Sequence, residues 1–140
     1  MQNNRLLYAL FEILLLMFLY IMAASIFNEE YLFEWIANNW LFYIFLVVIP
    51  LFFLFSNKKI MSIIITIGII VSSFAANYLG ELIQENNIDS ITSSMSAEQV
   101  ASLHDNPAFI IFIIFMIIFI GLAFIFNFLF KKKKMSIKWL

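Results

Sequence analysis

Residues 108–130 read AFIIFIIFMIIFIGLAFIFNFLF, a run without one charged side chain that ends directly before four consecutive lysines. A helix rises about 1.5 Å per residue, so a run of this length covers the ~30 Å hydrocarbon layer of a bilayer. Three further apolar runs occupy residues 6–27, 35–56 and 60–80. None of them alternates apolar and polar residues as the strands of a membrane barrel do. We therefore predict an all-α fold in which a single domain, residues 1–140, forms a bundle of four transmembrane helices.

The composition agrees with a lipid environment. Of the 140 residues, 64% are apolar and 12% are charged, whereas soluble domains are about half apolar and about a quarter charged. A soluble domain of this size has too little interior to hide so much hydrocarbon. The eight basic residues are too few and too scattered for a surface that follows phosphates, so we expect no nucleic-acid partner.

The sequence also lacks the side chains that most metal and redox sites use. There is no cysteine, which excludes disulfides, thiolate chemistry and cysteine-based metal sites. The one histidine, His104, is followed by Asp105, but no third ligand is near it in the sequence. Neither a Ser–His arrangement nor an HExxH pattern is evident. We therefore expect no metal, no cofactor and no catalytic residues.

Basic and acidic residues occupy different connecting segments. The basic residues are Arg5, Lys58, Lys59, Lys131, Lys132, Lys133, Lys134 and Lys138. Eight of the nine acidic residues lie in the other two connections, residues 28–34 and 81–107. Because Lys and Arg mark the cytoplasmic side, we predict that both termini face the inner side, of a bacterial inner membrane or of an organelle. We expect the lysines after residue 130 to stop the last helix at the headgroups and to attract anionic lipid.

Residues 1–25 also have features of a secretory signal peptide. Arg5 precedes the apolar run, and the Ala-Ala-Ser triplet at residues 23–25 resembles a small-residue cleavage site. However, the run is longer than the usual apolar region of about 7–15 residues, and it contains Glu12. We favour a retained first helix over a cleaved leader.

The third apolar run carries small residues at every fourth position. They are Gly68, Ser72, Ala76 and Gly80. Such a ridge lets another helix approach closely, which is how helices associate when the surrounding lipid is as apolar as their side chains. The adjoining stripe is polar, with Ser62, Thr66, Ser73 and Asn77, and the remaining face is bulky, with Ile63, Ile67, Ile70, Val71, Phe74 and Tyr78. We predict that the third helix is the packing hub and that the fourth faces lipid or a protein partner.

The acidic segment 81–107 is too long for a tight turn and too polar to enter the membrane. Ser96 and Gln99 are spaced as a capping box, and apolar residues follow them at helical spacing. We predict a loop with a short surface helix that ends before Pro107, which then opens the fourth span.

Glu12 is the only acidic or basic side chain inside any of the four runs. Placing a carboxylate there costs about 3 kcal/mol, so either a partner compensates the charge or the group takes up a proton. Tyr8 lies one turn away on the same stripe. Pro50, which leaves the Leu46 carbonyl without its helical partner, and Thr66 are at a matching depth. We predict that these residues form a polar cluster, and we favour a structural lock between three helices over a proton or cation site.

Together these features favour a small, non-enzymatic membrane protein that acts as an accessory subunit or interaction partner of another membrane protein or complex. The reasons are the missing catalytic groups, the small-residue ridge and the featureless fourth span. The expected partners are the lipid bilayer and either a second membrane protein or further copies of the chain. The alternative is a small oligomeric transporter or channel in which Glu12 is the proton or cation coupling group.

Overall fold

The computed structural model describes residues 2–137, and the side chains of residues 4–134. Within this range the chain is helical and contains no strand. The helices are α1 (Gln2–Ser25), α2 (Tyr31–Asn38), α3 (Trp40–Phe55), α4 (Lys59–Asp89), α5 (Ala97–Leu103) and α6 (Ala108–Ile137). Lys138, which belongs to the predicted basic set, lies outside the described residues.

Three of these helices, α1, α4 and α6, are long and apolar enough to cross a membrane. The predicted second span, residues 35–56, is not one straight helix. Helices α2 and α3 meet at a bend of 90°, and only the two together are long and apolar enough to cross a membrane. The described chain therefore has three candidate spans, or four if the bent pair counts as one.

The bend is at Asn39, which ends α2. Its backbone N–H donates to the Trp35 carbonyl at 3.0 Å, and its side-chain Nδ2 donates to the same carbonyl at 2.8 Å. These bonds satisfy the end of α2, and the chain starts again as α3 at Trp40. Helix α2 then lies with one apolar face buried in the core, which the predicted straight span would not allow.

Two helices are longer than the apolar runs predict. Helix α4 continues past Gly80 to Asp89, and α6 continues through the four lysines to Ile137, so the lysines do not stop it. Neither extension contains Gly or Pro, the two residues that most disfavour a helix interior. Lysines near a helix C-terminus also interact favourably with its dipole. The predicted loop 81–107 is reduced to short connections around α5, which begins at a capping box.

Helix α4 packs along its length against α6, and the small residues of α4 lie in this contact. Gly68, Ser72, Ala76 and Gly80 are all buried. A Cβ added at Gly68 would be 2.7 Å from the Cβ of Phe119, and one added at Gly80 would be 2.5 Å from the Cβ of Ala108. Because non-bonded carbons need about 3.5–4 Å, only glycine allows the two helices to come this close.

The other helices cover only part of α4. Helices α1 and α3 pack on the side that carries Ser62 and Thr66, and α6 packs on the side that carries Gly68. Ile67 lies between Thr66 and Gly68, about 100° from each. Among the described residues, no Cα atom of α1 lies within 8 Å of a Cα atom of α6. A largely exposed stripe, which we call the open face of α4, remains between them, and it consists of Ile67, Val71, Phe74 and Tyr78. One side of the Phe74 ring packs against Phe27 and Phe33.

We expect Gly80→Ala to destabilise the α4–α6 contact by about 1–3 kcal/mol, because the new methyl group meets the backbone of Ala108 at 2.7 Å. Gly121→Ala is the matched control, since nothing lies within 4 Å of its added Cβ and Ala is a better helix former than Gly. Unfolding of both variants in detergent measures the difference. Equal stability of the two would show that α4 and α6 do not pack this closely.

Candidate functional site

Glu12 lies where α1, α3 and α4 meet, with 3% of its surface exposed. Its hydrogen-bond partner is Ser62 of α4, whose Oγ is 2.9 Å from Glu12 Oε1 and 2.7 Å from Oε2. The same Oγ is 2.8 Å from the backbone carbonyl oxygen of Pro50 in α3. One hydroxyl therefore connects three helices.

The Ser62 hydroxyl can donate to Glu12 or to Pro50, but not fully to both, because it has one hydrogen. A serine hydroxyl has one hydrogen, and a carbonyl oxygen only accepts. If Ser62 donates to Pro50, a neutral Glu12 can donate its own proton to Ser62 Oγ, and both links of the chain then carry a hydrogen. An ionised Glu12 would instead accept from the Ser62 hydroxyl, and the Pro50 carbonyl would keep the helical N–H of Leu54 as its donor. The geometry therefore accommodates a protonated Glu12 as well as an ionised one.

No cationic side chain neutralises Glu12 among the described residues. The basic side chains at this end of the bundle have other partners. Arg5 donates to the side-chain oxygen of Asn57, and Lys59 Nζ lies 3.4 Å from the centre of the Tyr8 ring. A buried carboxylate without a counter-charge is costly, which favours the neutral acid. We call this end of the bundle, defined by Arg5 and Lys59, the basic end.

Thr66 lies one turn beyond Ser62 and lines the same cavity as Glu12, but its hydroxyl has no hydrogen bond of normal length. The residue is 3% exposed, and an unsatisfied buried polar group costs about 1–3 kcal/mol. Beside it is a cavity of about 190 Å³ between α1 and α4, mainly apolar, with Tyr8, Glu12 and Thr66 in its wall. Such groups commonly bond to water, and this cavity has room for several water molecules.

The structure brings three of the predicted cluster residues, Tyr8, Glu12 and Thr66, to one cavity. Pro50 joins the cluster through its own carbonyl rather than by freeing the carbonyl one turn before it. Ser62, the central hydroxyl, is missing from the predicted cluster. Thr66 was predicted because it lies as far from the end of its apolar run as Glu12 does from the end of its own. The packing of the helices instead brings Ser62, one turn earlier, to Glu12. The sequence did place both hydroxyls on one polar stripe, which could have indicated Ser62.

A second polar cluster lies at the opposite end of the bundle, around Asn77. Its side-chain oxygen accepts the backbone N–H of Leu32 at 3.0 Å, which holds α2 against α4. Its Nδ2 donates to Glu30 at 2.6 Å and to Glu81 at 3.0 Å. Burial, together with the nearby Glu81 carboxylate, raises the pKa of Glu30 above its ordinary value of 4.5. We call this the acidic end. The sequence pattern places Asn77 on a polar stripe but does not identify these partners.

The raised pKa of Glu30 predicts a stability that falls with increasing pH. The folded state binds this proton more tightly than the unfolded state, so the contribution is complete below about pH 4.5 and is lost as the pH rises through the raised value. We expect Glu30→Gln to remove the loss of stability that the ionisation of Glu30 causes as the pH rises. The uncharged amide oxygen of Gln can still accept from Asn77. Unfolding in detergent across this pH range measures it, and the exposed Glu29, changed to Gln, is the control. An unchanged pH profile in Glu30→Gln would contradict the assignment.

The remaining candidates do not form a site. His104 is exposed, and its ring Nδ1 donates to the Val100 carbonyl at 2.8 Å. Within the part of the chain that the structure describes, no three His, Asp or Glu side chains converge as metal ligands would. A groove of about 480 Å³ between α1 and α3, next to Trp40 and Tyr43, is almost entirely apolar. None of these places brings together two groups suited to acid–base or nucleophilic chemistry.

No protein-family model, no curated protein and no solved structure matches this chain. Its function therefore has to be inferred from its own residues. The Glu12 cluster and the open face of α4 are the two features that bear on it.

Proposed function

We propose that the chain is an integral membrane protein with four spans, in which α2 and α3 together make the second crossing. The distribution of charge supports this. Arg5, Lys58 and Lys59 lie at one end of the bundle, whereas Glu30 and Glu81 meet at the other. The helices between the two ends are the apolar elements long enough to cross the hydrocarbon layer.

The orientation follows from the same charges. Gly68 and Gly80 of α4 contact Phe119 and Ala108 of α6 in reverse order, so α6 runs antiparallel to α4. Lys131–Lys134 therefore extend α6 towards the basic end. By the positive-inside rule we place the basic end, with both termini, in the cytoplasm, and the membrane as a bacterial inner membrane.

We further propose that the protein acts without catalysis, as an accessory subunit or interaction partner of another membrane protein. The observation that carries this proposal is the open face of α4. Helix α4 is the most buried of the three long helices, yet the side chains of Ile67, Val71, Phe74 and Tyr78 are 39–67% exposed between α1 and α6. These four residues are three or four positions apart and form one continuous stripe.

A helix is the occupant whose shape fits the open face. Helices α1 and α6 stand on either side of it with no Cα atoms within 8 Å of each other, and a helix with its side chains is about 10 Å across. Ile67 and Val71 are β-branched, so they lose little rotamer freedom when a neighbour packs on them. The small-residue ridge of α4 is not available to a partner, because α6 already covers it. We expect one helix of a second membrane protein, or of another copy of the chain, to pack here.

Site-specific crosslinking tests this proposal, because the chain has no cysteine of its own. We expect Val71→Cys, carrying a photoreactive maleimide, to form a crosslink to a protein in native membranes. Ile114→Cys is the control, since Ile114 is also exposed but lies about 200° around α6 from the buried Met116. Gel mobility and mass spectrometry identify the products. A product of twice the chain mass indicates a second copy, and any other discrete product indicates a different partner. Crosslinks that are equal at the two positions, or absent from both, would contradict a docking surface on α4.

A second candidate function is a small oligomeric transporter in which Glu12 couples proton movement to a substrate. The burial of Glu12 without a cationic partner favours it, since acidic residues inside spans often mark proton pathways. Proton flux into vesicles that contain the purified protein tests this function directly. Flux that stops in Glu12→Gln would support it, and flux that continues would remove Glu12 from the mechanism.

A further inference from the structure

We propose that Glu12 carries an exchangeable proton, and that Thr66 is the reserve donor that stabilises the carboxylate after the proton has left. This inference rests on the membrane insertion proposed above and deepens the transporter candidate, because coupling requires a proton that can be exchanged. It does not require that any substrate moves.

The oxygen positions accommodate a protonated Glu12. Ser62 Oγ lies 2.7 Å from Glu12 Oε2 and 2.8 Å from the Pro50 carbonyl oxygen, so a protonated carboxyl can donate to Ser62 Oγ while the Ser62 hydroxyl donates to Pro50. The Thr66 hydroxyl is buried in the wall of the same cavity as Glu12, and it has no hydrogen bond of normal length.

The ionised arrangement needs two donors, and the cluster contains them. When the carboxyl O–H bond breaks, the proton passes to a water molecule in the cavity and the electron pair stays on the carboxylate. The Ser62 hydroxyl then turns from the Pro50 carbonyl to the carboxylate, and the Thr66 hydroxyl donates to it as well. Hydrogen bonds to a charged acceptor are stronger than those between neutral groups. The Thr66 hydroxyl, which has no hydrogen-bond partner when Glu12 is protonated, therefore gains one when Glu12 is ionised.

The cavity provides the route for the proton. It has a volume of about 190 Å³, and its wall includes Glu12, Thr66 and Tyr8. At the basic end Lys59 lies over the Tyr8 ring, so the Tyr8 side chain lies between the cavity and the nearest lysine. Water in a space of this size can connect the Glu12 carboxyl group with Tyr8.

Few other charged groups face this site. From α1, Tyr8 is in the cavity wall and Arg5 is bound to Asn57. From α4, Lys59 is the nearby cation. Helix α3 has no charged residue, and its only ionisable side chain, Tyr43, donates to the Leu16 carbonyl at 2.5 Å. The exchange therefore concerns Glu12 alone.

Labelling with dicyclohexylcarbodiimide tests the proposal on the full chain in lipid vesicles. This lipid-soluble reagent reacts with protonated carboxyl groups: the acid O–H adds across one C=N bond, and the acyl group then migrates from oxygen to nitrogen to give a stable acylurea. Intact-mass measurement counts the adducts. We expect labelling of the wild-type chain to decline as the pH rises, and we expect Glu12→Gln to remove the pH-dependent adduct.

Substitutions at Thr66 separate a reserve donor from a hydroxyl that only fills space. Thr66→Val keeps the shape but removes the donor, so we expect the midpoint of labelling to move up by about one pH unit or more. Thr66→Ser keeps the hydroxyl and should keep the wild-type midpoint. Thr66→Ala repeats the test if the valine variant does not fold.

Two results would overturn the proposal. One is an identical midpoint in folded Thr66→Val and wild-type chains, and the other is the absence of any pH-dependent adduct on Glu12. Proton flux in the same vesicles is an independent readout. Labelling that follows the expected pattern without flux supports the exchangeable proton and removes the transporter candidate.

Discussion

Helices α4 and α6 lie side by side only because Gly68 and Gly80 have no side chain where Phe119 and Ala108 press against them. In lipid, apolar side chains gain little by leaving the solvent, so close packing rather than exclusion from water holds helices together. This contact attaches the last helix to α4. The other helices pack on a different side of α4. The open face of α4 lies between that side and the side that contacts α6.

Polar contacts supply the specificity that apolar packing lacks. An apolar face can meet its neighbour at several positions along the helix, whereas a hydrogen bond forms at only one. At the basic end, Ser62 connects Glu12 to the carbonyl of Pro50. At the acidic end, Asn77 connects the backbone of Leu32 to α4. The contact at the basic end therefore fixes α1 and α3 relative to α4, and the contact at the acidic end fixes α2 relative to α4.

Hydropathy was sufficient to predict α1, α4 and α6, because a long apolar run without strand-like alternation is typical of a helix. The bend at Asn39 was not predictable in this way, since no Gly or Pro marks it and it depends on a side-chain cap and on the contact of α2 with Asn77. The lengths of α4 and α6 were underestimated because a helix can continue past its apolar run where no Gly or Pro interrupts it. Glu12 was visible as one charge in an apolar run, but the choice of Ser62 over Thr66 depends on how two helices are shifted relative to each other.

Immersion of the bundle in a bilayer, with the lysines inside, underlies both proposals, and two single-cysteine variants measure it. Ser93→Cys and Lys132→Cys each place one thiol at an exposed position in a chain without native cysteine. A membrane-impermeant maleimide is added to intact cells and to permeabilised cells. We predict that Ser93→Cys reacts in intact cells and that Lys132→Cys reacts only after permeabilisation. Reaction of Lys132→Cys in intact cells, or release of the chain into aqueous salt without detergent, would contradict the account.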